Sequence, residues 1–121
     1  MSEHAYSLNM FEDNTKFPYE EYLAGTGITP FYVSSKGVLF ADDCMNVLCN
    51  IKSDSIDTVF ADPPFNLGKE YRENTNDLIP DQEYVAWCKK WLAECIRVLK
   101  PGGAIFIYNL PKWNILLGSF L

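Results

Sequence analysis

Residues 55–66 read SIDTVFADPPFN, and this stretch decides how the chain folds. Residues 56–61 form a mostly apolar run, which is typical of a strand covered on both faces of a sheet. The strand must end before Pro63 and Pro64, because a proline has no backbone N–H to donate to a neighbouring strand. The stretch therefore predicts a buried strand that leads directly into Asp62 and two prolines.

Apolar spacing on either side of this stretch predicts the remaining elements. Residues 38–41 predict another buried strand, after which Asp42 or Asp43 could cap a short helix over residues 45–51. Residues 66–80 are polar and rich in turn-forming residues, as expected for a long loop. The elements predicted after this loop are a helix with Asp81 as its N-cap and an apolar face from Tyr84 to Leu99, a turn at residues 100–103, and a strand over residues 104–108.

Strand, helix, strand, helix and strand in this order predict an α/β fold with three mostly parallel strands and crossover helices. Residues 1–36 precede this pattern and are predicted to form an N-terminal arm, with one short helix near residues 19–23. Ligands of such sheets bind outside the carboxyl ends of the strands. Asp42–Asp43, Asp62 and Asn109 all follow predicted strands, so we expect them to lie along one rim.

The segment from Asp62 to Phe65 suits chemistry on a nucleobase amine. Such an amine is a poor nucleophile because its lone pair is delocalised into the ring, so its methylation requires acceptors that hold both hydrogens. The Asp62 carboxylate and the Pro63 carbonyl are two such acceptors, and the fixed φ of the prolines sets their direction. Phe65 could stack on a base flipped out of a duplex. The simpler alternative is a strand-ending turn with a capping carboxylate.

Four stretches of the sequence resemble one family. Residues 62–66, DPPFN, resemble the catalytic (D/N/S)PP(Y/F) tetrapeptide of the amino-methyltransferases, followed by an asparagine often found there. Residues 40–48 and 55–61 resemble the segment that precedes the tetrapeptide in DNA methyltransferases, and residues 91–103 resemble the helix and Gly-rich turn that follow it. The combination extends over roughly residues 37–110 and is much more specific than any one part.

The resemblance implies a partial Rossmann-like methyltransferase fold, in which residues 37–121 are the N-terminal, catalytic half of the domain. It implies a site-specific DNA methyltransferase that transfers a methyl group from S-adenosyl-L-methionine to an exocyclic amine of DNA. The DNA would be double-stranded with the target base flipped out, in the context of DNA methylation and restriction–modification. The aspartate that leads the tetrapeptide favours adenine N6 as the target, with cytosine N4 as the alternative.

The same resemblance assigns catalytic roles to the tetrapeptide. Asp62 would accept a hydrogen bond from the target amine and would also lie against the cofactor. Pro63 would supply its carbonyl to the amine, Pro64 would complete the rigid pair, and Phe65 would stack on the flipped base.

The cofactor-binding residues follow from the preceding segment. An acidic residue at the end of that strand contacts the adenine of the cofactor in this family. Asp43 stands where that aspartate does, with Cys44 beside it, and Asp42 is the alternative. Asp43 could also be a simple helix cap, and both roles could hold.

The order of the motifs bears on whether the chain acts alone. The family's methionine-binding FxGxG segment does not lie upstream of the tetrapeptide, and Gly25-Thr26-Gly27 has no apolar strand before it. In one group of these enzymes the tetrapeptide comes first, then the target-recognition region, then FxGxG. The sequence fits the beginning of that group, so we expect a truncated chain, or one completed by self-association or by a second chain. The alternatives are a non-catalytic remnant or partner-binding fragment, and a methyltransferase acting on RNA or a protein amide.

The net charge of −6, from 10 basic and 16 acidic residues, argues against a DNA grip made by this chain alone, since phosphate contacts depend on Lys and Arg. Lys89, Lys90 and Arg97 could touch phosphate or simply face solvent. Trp87 and Trp91, at helical spacing among apolar residues, are predicted to lie in the core.

The cysteine and hydropathy patterns exclude other classes of protein. The four cysteines form no CxxC pair and the chain has one histidine, so no metal site is expected and the thiols are predicted to be reduced, most of them in the core. No apolar run approaches the roughly 18–20 residues of a membrane span, and the first residues do not resemble a secretory signal. A cytoplasmic location is therefore expected.

Overall fold

The structure is a computed structural model, and it describes residues 15–68, 70–71, 75–76 and 78–121. Residues 1–14 of the predicted arm, and residues 69, 72–74 and 77 of the predicted loop, lie outside this description. The strands are β1 (Tyr32–Val33), β2 (Val38–Leu39), β3 (Ile56–Ala61), β4 (Glu70–Tyr71), β5 (Thr75–Asn76) and β6 (Leu99–Ile107). The helices are α1 (Cys44–Cys49), α2 (Asp81–Val98) and α3 (Pro111–Gly118), and a 3-10 turn covers Tyr19–Tyr22 in the arm.

The parallel pair of β3 and β6 is the centre of the fold. Thr58 lies opposite Ala104 and Ala61 lies opposite Ile107, and α2 forms the crossover between the two strands. The antiparallel pair of β4 and β5 lies within the predicted loop. The α/β class predicted from the sequence is therefore confirmed for a two-stranded parallel sheet.

The start of β6 differs from the prediction because residues 100–103 form a bulge inside the strand. Ile56 already lies opposite Leu99, with an irregularity before the pairing resumes at Thr58. Gly102 has a φ of +80°, and a Cβ on Gly103 would lie 2.9 Å from the backbone carbonyl oxygen of Asp57. The bulge therefore requires glycine at both positions.

The predicted third strand of the parallel sheet does not form in the described part of the chain. β2 pairs instead with β1 in an antiparallel hairpin, with Tyr32 opposite Leu39 and Val33 opposite Val38. The reason is local, because the hairpin turn already satisfies the backbone through Ser34 N to Gly37 O at 2.9 Å. The described sheets therefore do not confirm a three-stranded Rossmann-like arrangement.

The core lies on one side of the β3–β6 sheet. α2 contributes the largest share, through residues spaced three and four apart. The buried side chains of this helix are Tyr84, Cys88, Trp91, Leu92, Cys95 and Val98. Trp113 and Leu117 of α3 complete the cluster, and the rings of Tyr84 and Trp113 are 4.6 Å apart.

The opposite face of the sheet is exposed. Val59 and Ala61 pack against the core, whereas the neighbouring Phe60 is 71% exposed and Phe106, its partner on β6, is 57% exposed. The prediction that β3 is covered on both faces is therefore wrong for the part of the chain described here, and its burial alternates along most of the strand.

Other predictions about the core hold in part. All four cysteines are free thiols, but only Cys88 and Cys95 are buried, and Cys44 and Cys49 are exposed. Trp91 is buried, and Trp87 packs partly buried against the core.

α2 begins at Asp81, so Pro80 rather than Asp81 holds the N-cap position. Among the described helices, none combines the length and apolar character needed to cross a lipid bilayer.

Candidate functional site

The Asp62–Phe65 tetrapeptide begins where β3 leaves the sheet. The last sheet hydrogen bond joins Tyr108 N to Ala61 O at 2.9 Å. Asp62 is exposed and Pro63 is half-buried. Neither the Asp62 carboxylate nor the Pro63 carbonyl makes a hydrogen bond to another described residue. Both acceptors are therefore available to a ligand.

A cleft of about 470 Å³ lies beside the tetrapeptide, between β3, α1 and α2. Its apolar walls are formed by Phe40, Val47, Leu48, Val59, Ala61, Trp87, Trp91 and Cys95. Asp62, Pro63 and Pro64 line one side, and Asp42 and Cys44 line the side that follows β2. The structure thus brings together two of the strand ends that the sequence predicts to share a rim.

The two adjacent aspartates after β2 differ in their hydrogen-bond partners and in their position relative to the cleft. Asp43 is the N-cap of α1, where its Oδ1 accepts from Met45 N at 2.8 Å, as its capping alternative predicts. Asp42 lines the cleft, and its Oδ1 accepts from Asp43 N and from Asn46 Nδ2. The other carboxylate oxygen of Asp42 makes no hydrogen bond within the described ranges. Contact of Asp43 or Cys44 with a cofactor stays a prediction.

Three side chains hold the end of the tetrapeptide from outside the cleft. The Tyr84 hydroxyl of α2 donates to Pro64 O at 2.5 Å, and the Trp113 indole of α3 donates to Phe65 O at 2.9 Å. Asn66, only 6% exposed and with a φ of 57°, bonds both the N–H and the carbonyl of Ile79. Sequence reasoning assigned Tyr84 to the core alone, because helical spacing does not reveal which hydroxyl has a partner.

Two further predicted residues have neighbours that their sequence positions do not reveal. Phe65 packs against Tyr108, with ring centroids 5.6 Å apart and planes at 58°. Asn109, which follows β6, donates from Nδ2 to the Tyr84 hydroxyl at 2.9 Å. Asn109 is therefore joined to the tetrapeptide through Tyr84.

The Arg97 side chain is engaged in hydrogen bonds that hold α1 to α2. Its guanidinium donates to Leu48 O at 2.8 Å and Ile51 O at 2.9 Å, which are carbonyls at the end of α1, and it pairs with Glu94. The Glu94 hydrogen bond raises the pKa of Arg97 above its usual range. Of the basic residues that the sequence offers on α2 for phosphate contact, Lys89 and Lys90 are exposed.

The thiols at the cleft are poor nucleophiles. Burial raises the pKa of the Cys95 thiol to about 11, with nearby Cys44 and Glu94 adding to the shift. Burial and the charge of Asp43 also raise the pKa of Cys44, against the opposing effect of the N–H groups of Cys44 and Met45.

Within the described residues, no group of three His, Cys, Asp or Glu side chains could hold a metal ion.

Comparison with known proteins shows a sequence similarity around the tetrapeptide. The sequence model of the DNA methylase family matches residues 56–114, a range that holds β3, the tetrapeptide, α2 and β6.

Individual relatives agree with this match. The chain is 42% identical over 112 residues to Type II methyltransferase M.BamHI of Bacillus amyloliquefaciens, which covers 93% of the chain and 26% of that relative. It is 41% identical over 75 residues to Type II methyltransferase M.HpaI of Haemophilus parainfluenzae, covering 62% of the chain and 24% of that relative. It is 36% identical over 67 residues to DNA adenine methyltransferase YhdJ of Escherichia coli strain K12, covering 55% and 22%. The chain thus spans about a quarter of the length of these curated relatives.

Proposed function

We propose that the chain is the amine-binding part of a DNA methyltransferase that uses S-adenosyl-L-methionine, because the DNA methylase model matches residues 56–114 and the curated relatives are methyltransferases. The acceptor is an exocyclic amine of a base flipped out of double-stranded DNA, with adenine N6 favoured over cytosine N4. The observation that carries the proposal is the Asp62–Pro63–Pro64 segment, which follows β3 and lines the cleft, and in which the Asp62 carboxylate and the Pro63 carbonyl are unengaged by other described residues. The relative named as a DNA adenine methyltransferase supports adenine as the target.

Two acceptors on a stiff turn suit the activation of such an amine. The Asp62 carboxylate holds one amine hydrogen and the Pro63 carbonyl holds the other. Holding both draws the nitrogen out of conjugation with the ring, which frees its lone pair for attack. S-adenosyl-L-methionine, when bound, supplies an electrophilic methyl group. Asp62 then takes the proton that the nitrogen releases as the new bond forms.

The stacking role belongs to Phe65. Its ring is half-buried against Tyr108, so its direction is restricted before any base arrives. A flipped base requires an aromatic face to replace the stacking that it loses in the duplex. We propose that Phe65 provides that face.

The cleft is the proposed cofactor site. Its apolar walls fit a flat purine ring, and carboxylates at two strand ends fit the hydroxyl and amine donors of a nucleoside. Asp42 and Cys44 line the cleft directly, and Asp62 lies on the side shared with the amine. Asp43 remains the candidate for the adenine contact by resemblance, while its described hydrogen bond caps α1.

The rest of the site is proposed to come from a complementing segment or chain. A second cleft of about 330 Å³ lies between the arm and β3, and it shares Phe40 with the first. The two clefts together follow β3 from Ile56 to Ala61, along a strand whose described partner is β6 alone. A strand added along this opening would complete the sheet, and basic residues on the same complement would supply the grip on DNA that a chain of net charge −6 needs. The exposed sheet face would equally suit a partner-binding fragment without catalysis, or self-association.

Calorimetric titration with S-adenosyl-L-methionine tests the cofactor site. Binding that Asp42→Ala abolishes, and that Asp43→Ala leaves with only a lower unfolding temperature, would assign the contact to Asp42 and the cap to Asp43. The reverse pattern would assign the adenine contact to Asp43. A helix cap contributes about 1 kcal/mol, so the stability loss in Asp43→Ala should be measurable.

Transfer of a radiolabelled methyl group to DNA tests the reaction. The assay is run with the chain alone and with a purified polypeptide that carries the family's FxGxG segment. We expect N6-methyladenine in digested DNA, and at least a hundredfold loss with Asp62→Ala. Absence of transfer and of cofactor binding under both conditions would contradict the proposed enzyme and favour the partner-binding alternative.

A further inference from the structure

We propose that Tyr84, Asn109 and Trp113 are positioning residues that aim the tetrapeptide at the target amine. The proposal rests on the function proposed above, and it concerns three side chains that lie outside the tetrapeptide and outside the cleft lining. They act by engaging the carbonyls of Pro64 and Phe65, so that neither competes with the Pro63 carbonyl for the amine.

The Tyr84 hydroxyl holds the middle of the tetrapeptide. Tyr84 is 2% exposed on α2, and its hydroxyl donates to Pro64 O at 2.5 Å. A phenol inside the core requires a hydrogen-bond partner, since a buried unsatisfied polar group costs about 1–3 kcal/mol. Because α2 is packed into the core along its length, Tyr84 fixes Pro64 to a rigid element.

Asn109 sets the direction of the Tyr84 hydrogen bond. The Leu110 N–H donates to Asn109 Oδ1 at 2.8 Å, so the amide oxygen must face that group and Nδ2 must face Tyr84. A hydroxyl that accepts from Nδ2 at 2.9 Å directs its own hydrogen elsewhere, and the Pro64 carbonyl receives it. The backbone at the end of β6 thus determines which way the hydroxyl points.

Trp113 holds the next carbonyl. It is 1% exposed on α3, and its Nε1 donates to Phe65 O at 2.9 Å. Its ring packs on Tyr84 at 4.6 Å between centroids, so the two donors support each other's position. Consecutive carbonyls of the turn are therefore engaged by two helices, on the side away from the cleft.

The arrangement matters for catalysis because acceptor direction decides the reaction rate. A turn without these bonds could rotate Pro64 or Phe65 so that a wrong carbonyl competes for the amine. A displacement of about 1 Å can reduce a rate about a hundredfold without changing what is bound. The expected signature of lost positioning is therefore a slower transfer step with unchanged cofactor affinity.

Three substitutions test the network through the single-turnover rate of methyl transfer. Tyr84→Phe removes the hydroxyl and keeps the ring. Asn109→Asp is nearly isosteric but replaces the Nδ2 donor with an acceptor, so the Tyr84 hydroxyl turns towards residue 109 and releases Pro64. Both variants should slow transfer about ten- to a hundredfold, with the Kd for S-adenosyl-L-methionine within about twofold of wild type. Trp113→Phe removes the donor to Phe65 and should slow transfer in the same way.

Two of these substitutions have a matched control in the chain. Tyr32→Phe changes an exposed tyrosine of β1, and Asn50→Asp makes the same charge change on an amide that donates to Asn46 O at the end of α1. Equal rates for Tyr84→Phe and Tyr32→Phe, or for Asn109→Asp and Asn50→Asp, would overturn the positioning role.

Carbonyl NMR of the chain alone tests the network without DNA or cofactor. Labelling with carbonyl-13C proline and 15N-phenylalanine yields two linked signals, from Pro30–Phe31 and Pro64–Phe65, because the sequence has two Pro–Phe pairs. Tyr84→Phe and Asn109→Asp should move the Pro64 signal and leave the Pro30 signal in place. An unmoved Pro64 signal would overturn the network. Moved signals in a chain that shows no methyl transfer, with or without the FxGxG polypeptide, would contradict the proposed function alone.

Discussion

Replacement of Gly103 by alanine should destabilise the chain through the bulge in β6. The added Cβ would lie 2.9 Å from Asp57 O, 2.9 Å from Lys100 O and 3.1 Å from a Leu99 side-chain carbon. Two of these atoms are backbone oxygens, which cannot move aside as a flexible side chain can. The strand would have to shift away from β3 at the point where the parallel pairing resumes.

The expected loss of stability in Gly103→Ala is the difference between two opposing effects. Overpacking against fixed atoms costs about 1–3 kcal/mol. Alanine also restricts the unfolded chain more than glycine does, which recovers about 0.4–1 kcal/mol. The net loss is therefore about 1–2 kcal/mol, a large part of the roughly 5–15 kcal/mol by which folded domains are stable.

Urea unfolding followed by tryptophan fluorescence measures this loss. The matched control is Gly37→Ala, because a Cβ at Gly37 meets no atom within 4 Å and its φ is not positive. Gly37→Ala should leave stability unchanged or raise it by up to about 1 kcal/mol. Equal urea concentrations at the unfolding midpoint for Gly103→Ala and Gly37→Ala would refute the close approach of Gly103 to β3.

Two further changes should alter stability in predictable ways. Arg97→Lys loses the planar guanidinium that reaches Leu48 O and Ile51 O, and should lower the free energy of unfolding in urea by about 1–2 kcal/mol. Lys90→Ala on the same helix should lower it by no more than about 0.5 kcal/mol. Equal losses would show that the guanidinium does not anchor α1. The pKa of Cys95 is raised to about 11, while an unfolded thiol ionises near 8.5, so the unfolded state releases a proton that the folded state keeps. Stability should therefore fall as pH rises through this window, by about 3 kcal/mol at most, and Cys95→Val should remove that part of the dependence, which a pH series of unfolding curves would show.

The sequence predicts the elements around residues 55–66 well because their signals are local. Two prolines end β3 at Ala61 wherever the strand lies, and apolar spacing identifies α2 from its own residues. The partner of a strand is not a local property. Residues 38–41 have the same apolar character as β3, yet β2 pairs with β1, because β1 ends only five residues before β2 begins.

In the candidate site, too, the sequence identifies the residue types but not the direction in which each side chain points. The sequence identifies Asp62 and both aspartates after β2, but it does not say which of the two faces the cleft. Asp43 caps α1 because capping requires only the next turn of chain, whereas the position of Asp42 in the cleft depends on how α1 packs against α2. Such packing follows from long-range contacts such as those of Arg97, which spacing does not encode.

The core and the tetrapeptide are held by the same side chains. Tyr84 and Trp113 are among the most buried residues of the chain, and each also donates to a tetrapeptide carbonyl. A change that loosens the packing of α2 on α3 therefore moves the tetrapeptide as well, even though it touches no cleft residue. The acceptor side of the site is consequently as rigid as the core itself, and this rigidity does not depend on the exposed face of the sheet, because neither donor lies on that face.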